Sequence, residues 1–318
     1  MLQDSIRTLY ADSLIYYDRR REAVASRNVR GLERSRSFQA GLVRYLRDNR
    51  IIHGRDGVTV RDDSIRSSIS GMALTFNDST RDVWVTGAPA LMRGDEQGRV
   101  ITITAADTVR VLRELRTAEL WKNVEVKKDS MTAKSERALY EDIPETVTLS
   151  GNPVIEHVMH GTSDEDKIPL RIVSDVAGDT VYVYLKDRKL AAVEVSGNAS
   201  GVTAATDSAG AVYYRSVLES RHLRLDMTND QVSKVVAIGS AVSYYMHAAT
   251  GSGRNLFVNT ARGDTITFFF KNGSIADMRI RGGSSGESTG KYYEFEKAVT
   301  DSVGDRRKPE AGSQKVEN

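Results

Sequence analysis

The sequence predicts an all-β fold, an elongated, repeat-built stack of antiparallel strand pairs with an apolar interior. Three observations carry that prediction. Nearly every segment alternates apolar and polar residues at period two, the signature of half-buried strands. A glycine-marked phrase recurs: TGAPALMRGD at 86–95, SGNPVIEH at 150–157, SGNASGVTA at 196–204, IGSAVSYY at 238–245 and RGGSSGES at 281–288. Its central glycines Gly151, Gly197, Gly239 and Gly282 lie 46, 42 and 43 residues apart, so one supersecondary unit is stacked many times.

Taken in order, SLIYYDRRREAVASRNVRG (13–31), GMALTFNDSTRDVWVTG (71–87) and RALYEDIPETVTLSG (137–151) each read as two strands joined by a polar turn and ended by a marker glycine. The 64 residues between Gly87 and Gly151 leave room for another unit, and TAELWKNVEVKK (117–128) fills it without the glycine. VRVLRELRTAELW (109–121) holds good helix formers, with Leu112 and Leu115 three apart. Its place in the repeat nevertheless favours strands over a helix. In DTVYVYLKD (179–187), Val181, Val183 and Leu185 share one face and Tyr182 and Tyr184 the other. HLRLDM (222–227) sets Leu223, Leu225 and Met227 against His222, Arg224 and Asp226. DTITFFFKNGS (264–274) aligns Ile266, Phe268 and Phe270 before Asn272-Gly273, a strong hairpin signal, and the return strand offers Ile275, Met278 and Ile280.

Residues 1–296 thus read as one continuous body, and 297–318, where the alternation is lost, as a polar, flexible tail. Strands with one apolar face cannot stand alone, so each unit must fold against its own return strand and its neighbours. The economical result is a trough or flattened barrel, apolar inside, with an open strand edge at each end.

Composition narrows the function. A net charge of +2 over 318 residues argues against a dedicated nucleic-acid binder. Charge is uneven: residues 1–61 carry thirteen arginines against seven acids, and residues 129–170 nine acids against three bases. Solvated strand faces explain this; the sharper reading is a polarised rod whose basic end, with Arg19, Arg20 and Arg21, meets anionic groups. The absence of cysteine excludes disulfides and thiolate metal sites. No run approaches the roughly twenty apolar residues of a membrane helix. MLQDSIRTLY has no apolar core of a signal peptide, which fits a cytosolic protein or a mature, trimmed chain.

Enzyme signatures fail one after another. Gly282-Gly283-Ser284-Ser285-Gly286 matches G-x-S-x-G, but a turn and a strand follow it rather than the helix of a nucleophile elbow. STGKYY (288–293) has Ser285 where a phosphate loop needs glycine and Tyr292 where it needs Ser or Thr. Arg93-Gly94-Asp95 and Arg262-Gly263-Asp264 read as turn chemistry rather than adhesion ligands. Of the five histidines, only His157 and His160 are close, and on a strand they point to opposite faces. No catalytic residue, metal site or cofactor is predicted.

The segment 124–157, VEVKKDSMTAKSERALYEDIPETVTLSGNPVIEH, resembles the repeat unit of the OstA family of lipopolysaccharide-transport proteins. The residues that carry the likeness are Ala133, Ser135, Ala138, Tyr140, Gly151, Asn152, Pro153 and Val154, and LYADSLIYYDRRREAVASRNVRG (9–31) repeats the phrase with Ala11, Asp12, Tyr16 and Tyr17. The resemblance covers most of residues 4–296 and implies a periplasmic β-jellyroll, or β-taco. It implies an apolar groove for the acyl chains of lipopolysaccharide or a related glycolipid, and end-to-end docking with other β-jellyroll components through strand edges, with homo-oligomers as one form. The sequence is longer than the short bridging members and shows neither the anchor nor the large barrel of other members, and its polar tail fits truncation before such a domain.

On that reading the groove is lined by Leu74, Phe76, Val83, Val85, Val147, Leu149, Val181, Val183, Leu185, Leu223, Leu225, Met227, Ile266, Phe268 and Phe270, with Arg19, Arg20 and Arg21 as phosphate contacts at the rim. The same residues fit simple core packing, and the competing reading is a structural or adhesive β-solenoid with a filled interior.

Overall fold

The computed structural model describes residues 2–3, 7–64, 66–94, 100–162, 167–186, 189–228, 231–248, 255–271, 274–283 and 289–294. The chain opens with β1 (Leu2–Gln3), β2 (Arg7–Tyr10), β3 (Ser13–Tyr17) and a 3-10 turn (Asp18–Arg20). Four longer strands follow: β4 (Glu22–Glu33), β5 (Arg36–Leu46), β6 (Ile51–Asp62) and β7 (Ser67–Asn77). Next come β8 (Val83–Thr86), β9 (Ala90–Gly94), β10 (Val100–Thr104), β11 (Thr108–Leu112), β12 (Thr117–Lys128) and β13 (Met131–Glu141). β14 (Thr146–Ser150), β15 (Val154–Thr162), β16 (Pro169–Ala177) and β17 (Thr180–Lys186) lead to the longest group. That group is β18 (Lys189–Thr206), β19 (Val212–Thr228), β20 (Gln231–Ala248) and β21 (Asn255–Lys271), closed by β22 (Ser274–Arg281) and β23 (Thr289–Glu294). The fold is all-β, as the period-two pattern predicts, and residues 109–121 form β11, a turn and the start of β12 rather than a helix.

Every ladder is antiparallel, and each long strand is shared between two walls. The first half of β18 pairs with β17 and its second half with β16; likewise β7 pairs with β8 through residues 73–76 and with β9 through residues 67–70. The first wall contains β3, β8, β11, β14, β17 and β22, and the second contains β2, β9, β10, β15, β16 and β23, each joined by halves of the long strands. The result is one continuous sheet creased along a line, a V-shaped trough whose two walls face each other.

The crease is written in backbone chemistry. Consecutive positive-φ residues stand at Arg27-Asn28, Asp56-Gly57, Gly87-Ala88, Lys122-Asn123, Gly151-Asn152, Gly197-Asn198, Gly239-Ser240 and Gly282-Gly283. Two left-handed residues in a row turn the strand from one wall to the other and keep its apolar face inside: in β18 the inner residue before the corner is Val195 and the next is Ala199. Gly197 (φ 73°) has a second reason to be glycine, because a Cβ there would lie 2.1 Å from the Asp179 carboxylate. Asp179 in turn accepts a hydrogen bond from Asn198 at 3.2 Å, and Asp12 accepts one from Asn28 at 2.9 Å, so a neighbouring carboxylate secures these two elbows. The neighbouring strand passes inside the elbow, where room is short: a Cβ on Gly71 would lie 2.5 Å from Val85.

The marker glycines Gly87, Gly151, Gly197, Gly239 and Gly282 all fall at corners, Gly197 and Gly239 within strands that continue into the other wall, and the segment that lacked a glycine turns at Lys122-Asn123. Two readings are corrected. The first unit turns at Arg27-Asn28 rather than at Gly31, which lies within β4 opposite Phe38. Arg262-Gly263-Asp264 is not a turn: it lies within β21, where that strand crosses the crease. Asn272-Gly273, Asp95, Ser284-Ser285-Gly286 and the tail 297–318 lie outside the described residues, although Lys271 and Ser274 do pair, as a hairpin requires.

Two buried clusters fill the crease. One holds Ala25, Val29, Ala40, Val43, Val58, Leu74 and Val85. The other runs from Ala105 through Val181 and Leu223 to Phe268, with Ile69 packing against both.

Candidate functional site

At the N-terminal end, the walls are short. The inner face of the first wall offers Val43 and Tyr45 from β5, Ile52 and Gly54 from β6, Leu74 and Phe76 from β7, and Val83 from β8. The inner face of the second offers Leu9, Gly31, Phe38, Ala40, Val58, Val60 and Ile69. Gly31 makes room for the Phe38 ring and Gly54 for Val58, since a Cβ would lie 1.8 Å and 3.1 Å from them, and the two walls face each other across the trough. The space between them is a cavity of about 710 Å³. That lies within the roughly 300–1,000 Å³ typical of small-molecule sites.

The lining is almost wholly hydrocarbon until the lip, where charge appears from both walls. Arg36, Glu33 and Asp62 come from the second wall, and Asp78, Arg81 and Arg113 from the turns that end the first. Arg36 donates to Asp62 at 2.8 Å, and Asp62 also accepts from the backbone N–H of Ser64 at 3.1 Å and from the Ser64 hydroxyl. The Ser64 hydroxyl and the Arg36 guanidinium hold the Asp62 carboxyl down to about 2, so it stays charged and keeps Arg36 in place. Arg81 pairs with Asp78 at 3.4 Å, and the Arg113 backbone N–H donates to Asp82 at 3.1 Å. The site is therefore an oily pocket with a mixed, arginine-bearing lip. Such a lining suits apolar groups; among the described residues no three His, Asp or Glu side chains gather as a metal site.

No family model matches the chain, and no curated protein matches it. A solved structure does. The chain is similar to LptH, the LptA homologous periplasmic component of the conserved lipopolysaccharide transport device from Pseudomonas aeruginosa. The two are 14% identical, the match covers 46% of this chain and 82% of that one, and the TM-score is 0.23.

Of the lining residues read from the sequence, Leu74, Phe76 and Val83 border the cavity, and Val85 is fully buried behind it. Leu149, Val181, Leu223, Ile266 and Phe268 are buried in the larger cluster, with Val147, Val183, Leu225 and Phe270 partly buried against it. Leu185 and Met227 are partly buried farther up the first wall. Arg19, Arg20 and Arg21 stand exposed at the turn between β3 and β4, where Arg20 lies 5.6 Å from the Tyr17 ring centroid and Arg21 pairs with Asp48 at 3.1 Å. They do not line the cavity; Arg36, Arg81 and Arg113 do. His157 faces inward and is partly buried, while His160 is exposed on the same strand.

The sequence reading missed Phe38, Val43, Ile52, Val60 and Ile69 in the lining. The signal was present but scrambled. Strands that pass inside the crease jump three residues between inward positions, from Val43 to Ala40 and from Leu74 to Gly71, which reverses a period-two count halfway along.

Proposed function

We propose that this protein is a periplasmic carrier for lipopolysaccharide or a related glycolipid, and that it acts by sheltering acyl chains rather than by chemistry. The observation that carries the reading is the apolar cavity of about 710 Å³ with arginines at its lip. The repeat phrase shared with the OstA family adds the class of lipid. Each methylene moved from water into such a lining contributes about 0.8 kcal/mol, so a chain of about a dozen carbons gains roughly 10 kcal/mol before the cost of association. Arg81 and Arg113 are placed to meet the anionic head group, with Arg36 held opposite by Asp62.

The ends of the trough suit the relay part of this reading. β3 pairs only with β4, and β22 only with β21, among the described residues, so each leaves one ladder face unpaired. A like trough, or a second copy, adds there strand to strand. The test is mass spectrometry of lipid extracted from the purified native protein. An acylated, anionic glycolipid is expected in stoichiometric amount, reduced at least fivefold in Val60→Trp, which fills the cavity. Lipid-free native protein, or lipid retained in full by the filled variant, overturns the assignment.

A further inference from the structure

Farther along, the trough's two walls differ in chemistry. On the first wall, the three inward positions counted from the crease are all apolar: Val181, Val183 and Leu185 on β17, Leu223, Leu225 and Met227 on β19, and Ile266, Phe268 and Phe270 on β21. On the second wall the apolar run is interrupted at the third step and resumes one step farther out with Ile172 and Ala205. Its third inward position is His157 on β15, Ser174 on β16, Thr203 on β18, Ser216 on β19, Tyr245 on β20 and Asn259 on β21.

These six are direct neighbours across successive ladders, and all are partly buried. With strands about 4.8 Å apart, the row is roughly 24 Å long. It carries hydroxyl, amide, imidazole and phenol groups and no carboxylate, lysine or arginine. The Ser174 and Thr203 hydroxyls are 3.0 Å apart, and the Asn259 side-chain oxygen is buried without a hydrogen-bond partner among the described residues. Tyr214, one step farther out, lies beside the row; burial pushes its phenol and that of Tyr245 up, and pushes the His157 imidazole down. The row is thus withdrawn from water. A buried polar group left unpaired is costly, and residues of equal volume without polar atoms would pack there at no such cost. At the lip of the N-terminal cavity the equivalent positions are Glu33, Arg36 and Asp62, so the uncharged row belongs to the C-terminal part of the trough.

We propose that this row binds the sugar portion of a glycolipid. Pyranose hydroxyls are donors and acceptors at short, regular intervals, which matches a ladder of Ser, Thr, Asn and His side chains flanked by Tyr rings. The facing wall of Leu185, Met227 and Phe270 receives hydrocarbon, so the trough sorts an amphiphile sideways, sugar to one wall and chain to the other. For the chain, this rests on the carrier reading above; the sugar row stands on its own residues.

The test uses the whole protein and two probes below their micelle concentrations, dodecyl maltoside and dodecanoate, each measured by calorimetry. In Thr203→Val/Ser216→Ala, dodecyl maltoside is expected to bind at least tenfold more weakly, with dodecanoate unchanged. Unchanged maltoside binding, or an equal loss for both probes, overturns the sugar row. Maltoside binding that depends on the row while dodecanoate binds nowhere supports the row and overturns the cavity. Saturation-transfer NMR on the unmodified protein gives the same answer without a variant: transfer to the maltose ring protons is expected, and transfer confined to the alkyl protons overturns the proposal.

Discussion

The two ends of this molecule use one crease in two ways. Near the N-terminus, β4 to β7 are 11 or 12 residues long, and their inward rings stand apart around a cavity. Toward the C-terminus, β18 to β21 are 17 or 18 residues long, and Val181, Val195, Leu223 and Ile266 close the crease with essentially no exposure. Strand length does not make the container. The crease is packed at both ends, by Val29, Val58 and Val85 as by Val181 and Ile266, and the cavity lies farther out, between Phe38, Val60 and Ile69 on one wall and Tyr45, Ile52, Phe76 and Val83 on the other. The same packed keel carries an apolar vessel at one end and a polar shelf at the other.

Substitutions break or sharpen that contrast. The largest effect is expected at the keel. Ile266→Ala removes a fully buried side chain from close packing and is expected to cost about 3–4 kcal/mol in urea unfolding. Phe76→Ala, on a wall that already borders empty space, is expected to cost only about 1–2 kcal/mol, mostly lost transfer free energy. Equal costs at the two sites would remove the distinction between vessel and keel.

The corners come next. Gly197→Ala forces an L side chain to φ 73° and against Asp179, and is expected to destabilise by roughly 2 kcal/mol. Lys122→Gly, at a corner that nature built without glycine, is expected to stabilise by about 1 kcal/mol. A loss of stability in Lys122→Gly would show that the non-glycine corners are held by something other than backbone geometry.

A smaller, pH-dependent effect is expected at the lip. Asp62 has a folded-state carboxyl near 2, below the unfolded value of about 3.9. Its contribution is therefore present above about pH 4 and is lost as pH falls toward 2. Asp62→Asn is expected to be less stable than the parent by up to about 1 kcal/mol at pH 7, with the difference fading across that window. A pH-independent difference would assign the effect to shape rather than charge. Smallest of all, Arg21→Ala, which removes an exposed pair with Asp48, is expected to change stability by no more than about 0.5 kcal/mol.

Much of this architecture is legible in the residues. Alternation in DTVYVYLKD and HLRLDM places Val181 and Leu223 on the inner face, and the glycine phrase marks five of the corners. What escapes is local. Arg27-Asn28 and Lys122-Asn123 reach left-handed geometry through asparagine, which tolerates it, so a search for glycine passes them by. The cavity escapes because emptiness has no signature at any one position; it arises where Tyr45, Ile52, Phe76 and Val83 of one wall face Phe38, Val60 and Ile69 of the other. The polar row escapes because Ser174, Thr203 and Asn259 are unremarkable alone and become a row only when five ladders set them side by side.

The central claim is that the N-terminal cavity holds acyl chains, and photocrosslinking tests it most directly. A photoreactive residue in place of Phe76, which lines the cavity, is expected to capture lipopolysaccharide or a related glycolipid in cells. The same group in place of Met72, exposed on the outside of the same strand, is expected to capture none. Capture at Met72 equal to that at Phe76, or none at Phe76, would contradict the account.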